Sequence, residues 1–462
     1  MKRNRIMIVL MGFFCLYSFS AVSQSIIKEK LFSKILNDTL LFNVWLPYGI
    51  ETSHNPFPVL YLHNYGALDN YGMNIAAELN RRGKKYPKSV VVEMTGTSDG
   101  MSGSSLTKFS YFDKNLPTEG EKYINALKNE LFPYVELTYK TSGFRAYLGH
   151  SYCATYANWL FSHHPDTFDG YLLFAPESLN TIQEKFEMSK DQGKLYFNKF
   201  YWISTGAKDI ERRLKFNELA AQRIKPVNGI FFSNQINESA DHNSIVDESL
   251  GTALSFLFSK YFTPSTLDST NLWISLQTEL KRVKSLYKMK DFTLKDYAYD
   301  LYDRGAEARD SSFIRRLAEA NDCITNNYLH LFNIGYIYMN VFKDKVSALK
   351  YYRKSIDVCL SDNRPKHAFN AYSWMAKIYS DEGNYEKSFQ CCEEGFKVTS
   401  SYMLLYQASS LAKKNISLID QSIKYLTEVI KNYKGSDLEI FGVKEADLVT
   451  SLNNLKSIKR KL

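Results

Sequence analysis

The chain has 462 residues, of which 45% are hydrophobic, 15% aromatic and 23% charged, with 22 glycines and 11 prolines. That balance excludes a disordered chain, a multi-span membrane protein and a collagen-like or low-complexity architecture, and the length predicts two or three domains. The net charge of +9 falls to +6 without Lys2, Arg3 and Arg5, an excess too mild to argue for a nucleic-acid partner.

Those three basic residues precede an apolar run of 14 residues, Ile6 to Phe19, and Ala21-Val22-Ser23 follows with small residues at the positions a signal peptidase reads. Residues 1–23 are therefore expected to be a cleaved signal peptide, with Gln24 as the mature start and a secreted or periplasmic location. The run is short for a membrane span, so no stable span is expected after cleavage. Cys15 follows Gly12-Phe13-Phe14, a poor context for lipidation. The other five cysteines, Cys153, Cys323, Cys359, Cys391 and Cys392, are odd in number and irregular in spacing. They predict neither a disulfide framework nor a zinc site.

Between residues 27 and 262, short β-rich runs alternate with helical stretches. The runs are Leu41–Leu46, Pro58–His63, Ser89–Met94, Arg145–His150, Gly170–Ala175, Phe200–Ser204 and Gly229–Ser233. Several are almost wholly apolar, as in Val59-Leu60-Tyr61-Leu62. Such runs between helices predict a mostly parallel sheet covered on both faces, an α/β domain over 24–262. A polar break over 263–271 then predicts a linker. From 272 to 462 the apolar spacing is helical throughout, beginning with Trp273, Leu276, Leu280, Val283 and Leu286. A weak repeat passes through Gly335, Ala376 and Ala408, spaced 41 and 32 residues apart. Its middle unit (Trp374, Ala376, Tyr379, Gly383, Tyr385, Ser388, Cys392, Gly395) fits the tetratricopeptide pattern, in which small residues recur where paired helices cross.

The strongest chemical signal is Gly149-His150-Ser151-Tyr152-Cys153, which follows an apolar strand and opens a helix. That is the setting of a nucleophile elbow, in which a sharp turn holds a serine clear of the sheet. The positions two before and two after the serine must be small; Gly149 suits, and Cys153 replaces the usual glycine. Ser151 is thus the candidate nucleophile. A serine needs a base, and the base needs an orienting acid, in the chain order Ser, acid, His. His163 and His164 lie too close to the elbow, and His330 and His367 fall in the helical region. His242, in the polar loop Ser239–Ser244, remains as the base. Asp209, beyond the strand Phe200–Ser204, is the preferred acid, with Glu211 and then Glu177 as alternatives. For the oxyanion, backbone N–H groups are expected from Tyr152 and from Tyr65 in His63-Asn64-Tyr65-Gly66.

Residues 28–262 resemble the esterase D–like family of α/β-hydrolases. The likeness is carried by Pro58–Leu62 with the His63–Gly66 loop, by Glu130-Leu131-Phe132-Pro133-Tyr134 and Tyr139, by the elbow, by His164–Gly170, and by Asp241–Ile245 with Leu250–Phe258. Asn64 stands where the family usually has glycine. Thr95–Gly100 lacks an arginine common in siderophore-esterase-like members. The resemblance implies an α/β-hydrolase fold and a secreted serine esterase acting through Ser151, His242 and Asp209, without metal or organic cofactor, on a small ester. Acyl transfer would use the same residues. The alternative is a catalytically degenerate hydrolase domain serving a protein-interaction role, with a protein or peptide partner on the helical domain.

Overall fold

The computed structural model describes residues 26–50, 55–64, 66–82, 85–100, 118–177, 196–224 and 229–462. The expected signal peptide, with Cys15, lies outside these residues, and so does Tyr65. The chain divides into two compact units, one of residues 1–262 with 280–292, the other of 263–279 with 293–462.

The first unit is built on an eight-stranded sheet. Its strands are β1 (Ile26–Ser33), β2 (Asp38–Trp45), β3 (Phe57–His63), β4 (Val90–Thr97), β5 (Thr141–His150), β6 (Gly170–Phe174), β7 (Lys199–Gly206) and β8 (Ile230–Asn237). They run in the order β1-β2-β4-β3-β5-β6-β7-β8. β2 is antiparallel to both β1 and β4, and the strands from β4 to β8 are parallel. The composition of each strand explains its place. Every residue of β3, β6 and β7 is buried, as a parallel strand covered on both faces requires. At one edge β1 alternates between exposed and half-buried residues; at the other β8 is half-buried along most of its length. Helices α1 (Gly72–Arg81), α2 (Thr118–Ala126) and α3 (Phe132–Thr138), then α4 (Tyr152–His163), α5 (Glu211–Ile224) and α6 (Ile245–Leu257) connect or close the strands. One continuous core joins Tyr61, Phe132, Tyr147, Phe168 and Tyr171 from the sheet and its covering segments. This is the mostly parallel, doubly covered sheet that the alternating runs predict, in the α/β-hydrolase arrangement that the esterase resemblance implies.

The boundary between the units departs from the polar break in the sequence. The helix Leu272–Leu286 continues beyond residue 279, and residues 280–292 belong to the first unit. Tyr287 explains the assignment. Its ring packs against Phe144, Phe200, Phe258 and Tyr261, and its hydroxyl donates to the Leu257 carbonyl at 2.9 Å. Lys288 pairs with Asp169 at 2.8 Å.

The second unit is helical, as its periodicity predicts. The helices Tyr328–Ile337 and Lys345–Ser361 pack together, and so do Phe369–Asp381 and Tyr385–Thr399. Small residues do sit at the crossings. A methyl group on Gly335 would meet the Tyr352 ring at 2.8 Å, and one on Gly395 would meet Tyr372 at 2.8 Å. Ala348, Ala376 and Ala408 are fully buried. Cys153, Cys359, Cys391 and Cys392 are buried free thiols.

Candidate active site

The site forms at the carboxyl ends of β3, β5, β7 and β8, where open α/β sheets place their ligands. β5 delivers its last residue, His150, and the chain turns at Ser151 with φ 56° and ψ −119° before α4 begins at Tyr152. A non-glycine residue in that region costs on the order of 1–3 kcal/mol and persists only where its surroundings impose it. Gly149 supplies part of that constraint. A Cβ there would lie 2.8 Å from the Ala154 nitrogen and 2.9 Å from the Cys153 carbonyl carbon. Strand and helix therefore touch as an elbow requires. Cys153 is buried in the second small-residue position, and the Tyr147 hydroxyl donates to its carbonyl at 3.2 Å.

His242 arrives from the loop after β8. Asp241 shapes this loop. Its Oδ1 accepts from the backbone N–H groups of Asn243 and Ser244, both at 2.9 Å, so the chain turns tightly before α6 starts. Asp209 arrives from the loop after β7, and the two loops are tied where the Lys208 N–H donates to the Ala240 carbonyl at 3.1 Å. The result is a continuous chain of hydrogen bonds. The Ser151 hydroxyl donates to His242 Nε2 at 3.1 Å, and His242 Nδ1–H donates to Asp209 Oδ2 at 2.9 Å. That polarity fixes the neutral tautomer a general base needs. The Asp209 side chain is 1% exposed and that of His242 is 31% exposed, so the carboxylate is shielded while the imidazole reaches solvent.

Asp209 Oδ1 also accepts from the Ile210 N–H at 2.7 Å and from the Arg213 guanidinium at 2.8 Å. Burial pushes the carboxyl up, but these donors and the His242 ring together outweigh it and hold the group below its ordinary value. Arg213 also grips Glu177, which Arg212 contacts at 3.0 Å. Of the three acids considered from sequence, only Asp209 is joined to His242. Glu177 is buried behind Arg213, and Glu211 is an exposed partner of Lys215 at 2.7 Å.

On the side of β5 away from β7 and β8, the neighbouring loop is the one after β3. His63 anchors it. Its Nδ1–H donates to the Tyr147 hydroxyl at 2.6 Å, and its Nε2 accepts from the Tyr123 hydroxyl at 2.8 Å. Burial lowers its pKa to about 3, so the ring is neutral. Asn64, in the place of a glycine, closes the loop by accepting the Asn70 N–H at 2.9 Å. Tyr152, an expected oxyanion donor, is the first residue of α4, at a helix N-terminus that favours negative charge. Two neighbours of the triad were not anticipated, Arg213 and His150. Arg213 had a legible signal, its place four residues after Asp209 on a helix. His150 had only its place beside Ser151.

Residues 33–227 match the model of the family described as "Putative esterase". The matched residues lie within the α/β unit. No curated protein matches the chain. Among solved structures, an uncharacterised protein from Capnocytophaga ochracea is similar at 16% identity and a TM-score of 0.54, over 74% of this chain and 99% of that one. An IroE-like serine hydrolase from Shewanella oneidensis is similar at 15% identity and a TM-score of 0.51, over 64% of this chain and 98% of that one. At such identities the likeness bears on the fold. The family match makes the esterase unit a carboxylic-ester hydrolase.

Proposed function

We propose that this esterase is exported and hydrolyses small carboxylic esters through an acyl-enzyme on Ser151. The observation that carries the reading is the unbroken Ser151–His242–Asp209 hydrogen-bond chain mounted on a strained elbow. Ser151 Oγ attacks the ester carbonyl carbon while His242 Nε2 takes its proton. Asp209 holds the ring and stabilises the imidazolium. The tetrahedral oxyanion lies at the N-terminus of α4, where the Tyr152 N–H donates to it; Tyr65 is the proposed second donor. Collapse expels the alcohol with the proton from His242. Water then attacks the acyl-enzyme with His242 as base, and Ser151 is released. An acceptor alcohol in place of water would make the same residues an acyltransferase.

The helical unit is proposed to be a tetratricopeptide-like array that captures a protein or peptide, leaving the chemistry to the α/β unit. Hydrolysis of short-chain aryl esters tests the catalytic reading. Ser151→Ala and His242→Ala should each lower kcat by about 10³-fold or more. Unchanged turnover in either variant would remove that residue from the mechanism. N-terminal sequencing of the exported protein should begin at Gln24.

A further inference from the structure

His150 lies between the two loops that flank the nucleophile. It is the last residue of β5 and is 1% exposed. Its Nδ1 accepts the Ala67 N–H at 3.1 Å, from the turn Gly66–Leu68 after β3. Its Nε2–H donates to the backbone carbonyl of His242 at 2.7 Å. Its ring stands 4.6 Å from the His242 ring, with 39° between the planes. One acceptor and one donor on the same imidazole admit only the neutral ring protonated at Nε2. Gly66, at φ 63°, passes so close that a Cβ there would lie 2.5 Å from His150 Nδ1. The turn and the imidazole are therefore fitted to each other.

We propose that His150 is a positioning residue of the hydrolysis, a two-armed clamp that sets the turn after β3 and the loop bearing His242 at a fixed separation across Ser151. The proposal rests on the hydrolase reading. It follows from what each arm holds. One arm fixes the carbonyl of the base itself, so it fixes the point from which the His242 side chain reaches Ser151. The other fixes the backbone of the turn after β3, the strand paired with β5 on the side away from β7 and β8. His150 is itself buried, so its effect is expected on the placing of reacting groups rather than on binding. Misplacement by about 1 Å is enough to lower a rate by roughly 10²-fold. Because the clamp depends on the neutral ring, it also benefits from a buried position that keeps the proton off Nδ1.

Three substitutions separate the arms. His150→Asn places an amide oxygen near the position of Nδ1 and retains the Ala67 arm. His150→Gln places an amide nitrogen near Nε2 and retains the His242 arm. His150→Leu fills the space and retains neither. The experiment measures kcat and KM on a short-chain aryl ester for the full chain and the three variants, normalised to folded protein by circular dichroism. We expect His150→Leu to lose about 10²-fold in kcat with KM within about 3-fold, and Asn and Gln each to recover about 10-fold relative to Leu. If His150→Leu does not fold, an approximately 10-fold loss of kcat in both the Asn and Gln variants, at unchanged KM, carries the same conclusion. Variants that melt earlier but keep wild-type kcat per folded molecule would reduce His150 to a structural residue and overturn the clamp. An inactive full-length chain, or one whose activity survives Ser151→Ala, would instead overturn the hydrolase reading itself.

Discussion

Asp209 receives three hydrogen bonds, from His242, Ile210 and Arg213, and those donors keep it ionised despite its burial. In the proposed mechanism its role is to hold a ring that must carry a proton transiently. Asp209→Asn should therefore lower kcat by about 10³- to 10⁴-fold, because an amide in that place favours the wrong tautomer. Glu211→Gln should change kcat by less than about 2-fold, since the Glu211–Lys215 pair is solvent-exposed and of little consequence. Steady-state kinetics on the two variants check the assignment, and the reverse order would transfer the role to Glu211. Sequence alone left these two acids open because they stand two residues apart on the same turn. What separates them is orientation: Asp209 is folded into the sheet edge, whereas Glu211 opens α5 and faces solvent.

Two buried histidines give the α/β unit a specific response to acid. Burial lowers His150 to about 4 and His63 to about 3, against an ordinary value of 6.5. Between these values and 6.5 the unfolded chain binds protons that the folded chain refuses. Stability must then fall as pH falls, by about 1.4 kcal/mol per pH unit for each such histidine. Denaturant midpoints should decline from pH 7 to pH 5, and His150→Asn should remove about half of the slope. A midpoint that holds steady or rises over that interval contradicts the neutral, buried state of both rings.

The elements of the sheet were legible where they are apolar on both faces. β3, β6 and β7 sit close to the runs that mark them in sequence, because a strand between two layers of helices has almost no polar positions. The edges were harder. β1, Ile-Ile-Lys-Glu-Lys-Leu-Phe-Ser, carries three charged residues and pairs on one side with β2, so its pattern is that of a half-exposed edge. β8 extends through Asn234, Gln235 and Asn237, well past the apolar run that suggests it. Pairing with β7 as far as Gly206–Asn237 supports those polar residues, and Asn234 donates to the Asn217 side chain at 2.8 Å. The elbow is the element on which the proposed function depends most. Gly149→Ala would drive a methyl group into the backbone of α4, and strand and helix would have to separate. A loss of about 1–3 kcal/mol in folding stability is expected, with a larger fractional loss of kcat than of folded protein. Chemical denaturation and kinetics on one preparation measure both. A fully active, equally stable variant would show that the contact at Gly149 does not shape the site.

At the scale of the whole molecule, the polar stretch 263–271 is a real change of character in the sequence but not the end of the first unit. Composition and periodicity report where strands give way to helices; they do not report which helical residues return to the earlier core. Residues 280–292 do so through Tyr287, which is fully buried among four aromatic rings. A chain ending at Pro264 lacks that ring, and one ending at Phe292 retains it. The shorter chain should be less stable by roughly 3–5 kcal/mol, the cost of emptying a large aromatic site in a core. Equal denaturant midpoints for the two chains would show that the segment is dispensable to the α/β unit. The helical unit was legible as helical, and the small residues at its crossings were legible too, because close packing of two backbones leaves few choices of side chain.

The central claim is that Ser151 is an activated nucleophile, and covalent labelling measures it most directly. The intact chain is treated with a fluorophosphonate and the modified peptide is located by mass spectrometry. A single adduct on Ser151 is predicted, absent from Ser151→Ala and formed at least about 10³-fold more slowly in His242→Ala. A folded chain that takes up no label, or takes it up elsewhere than Ser151, would contradict the account.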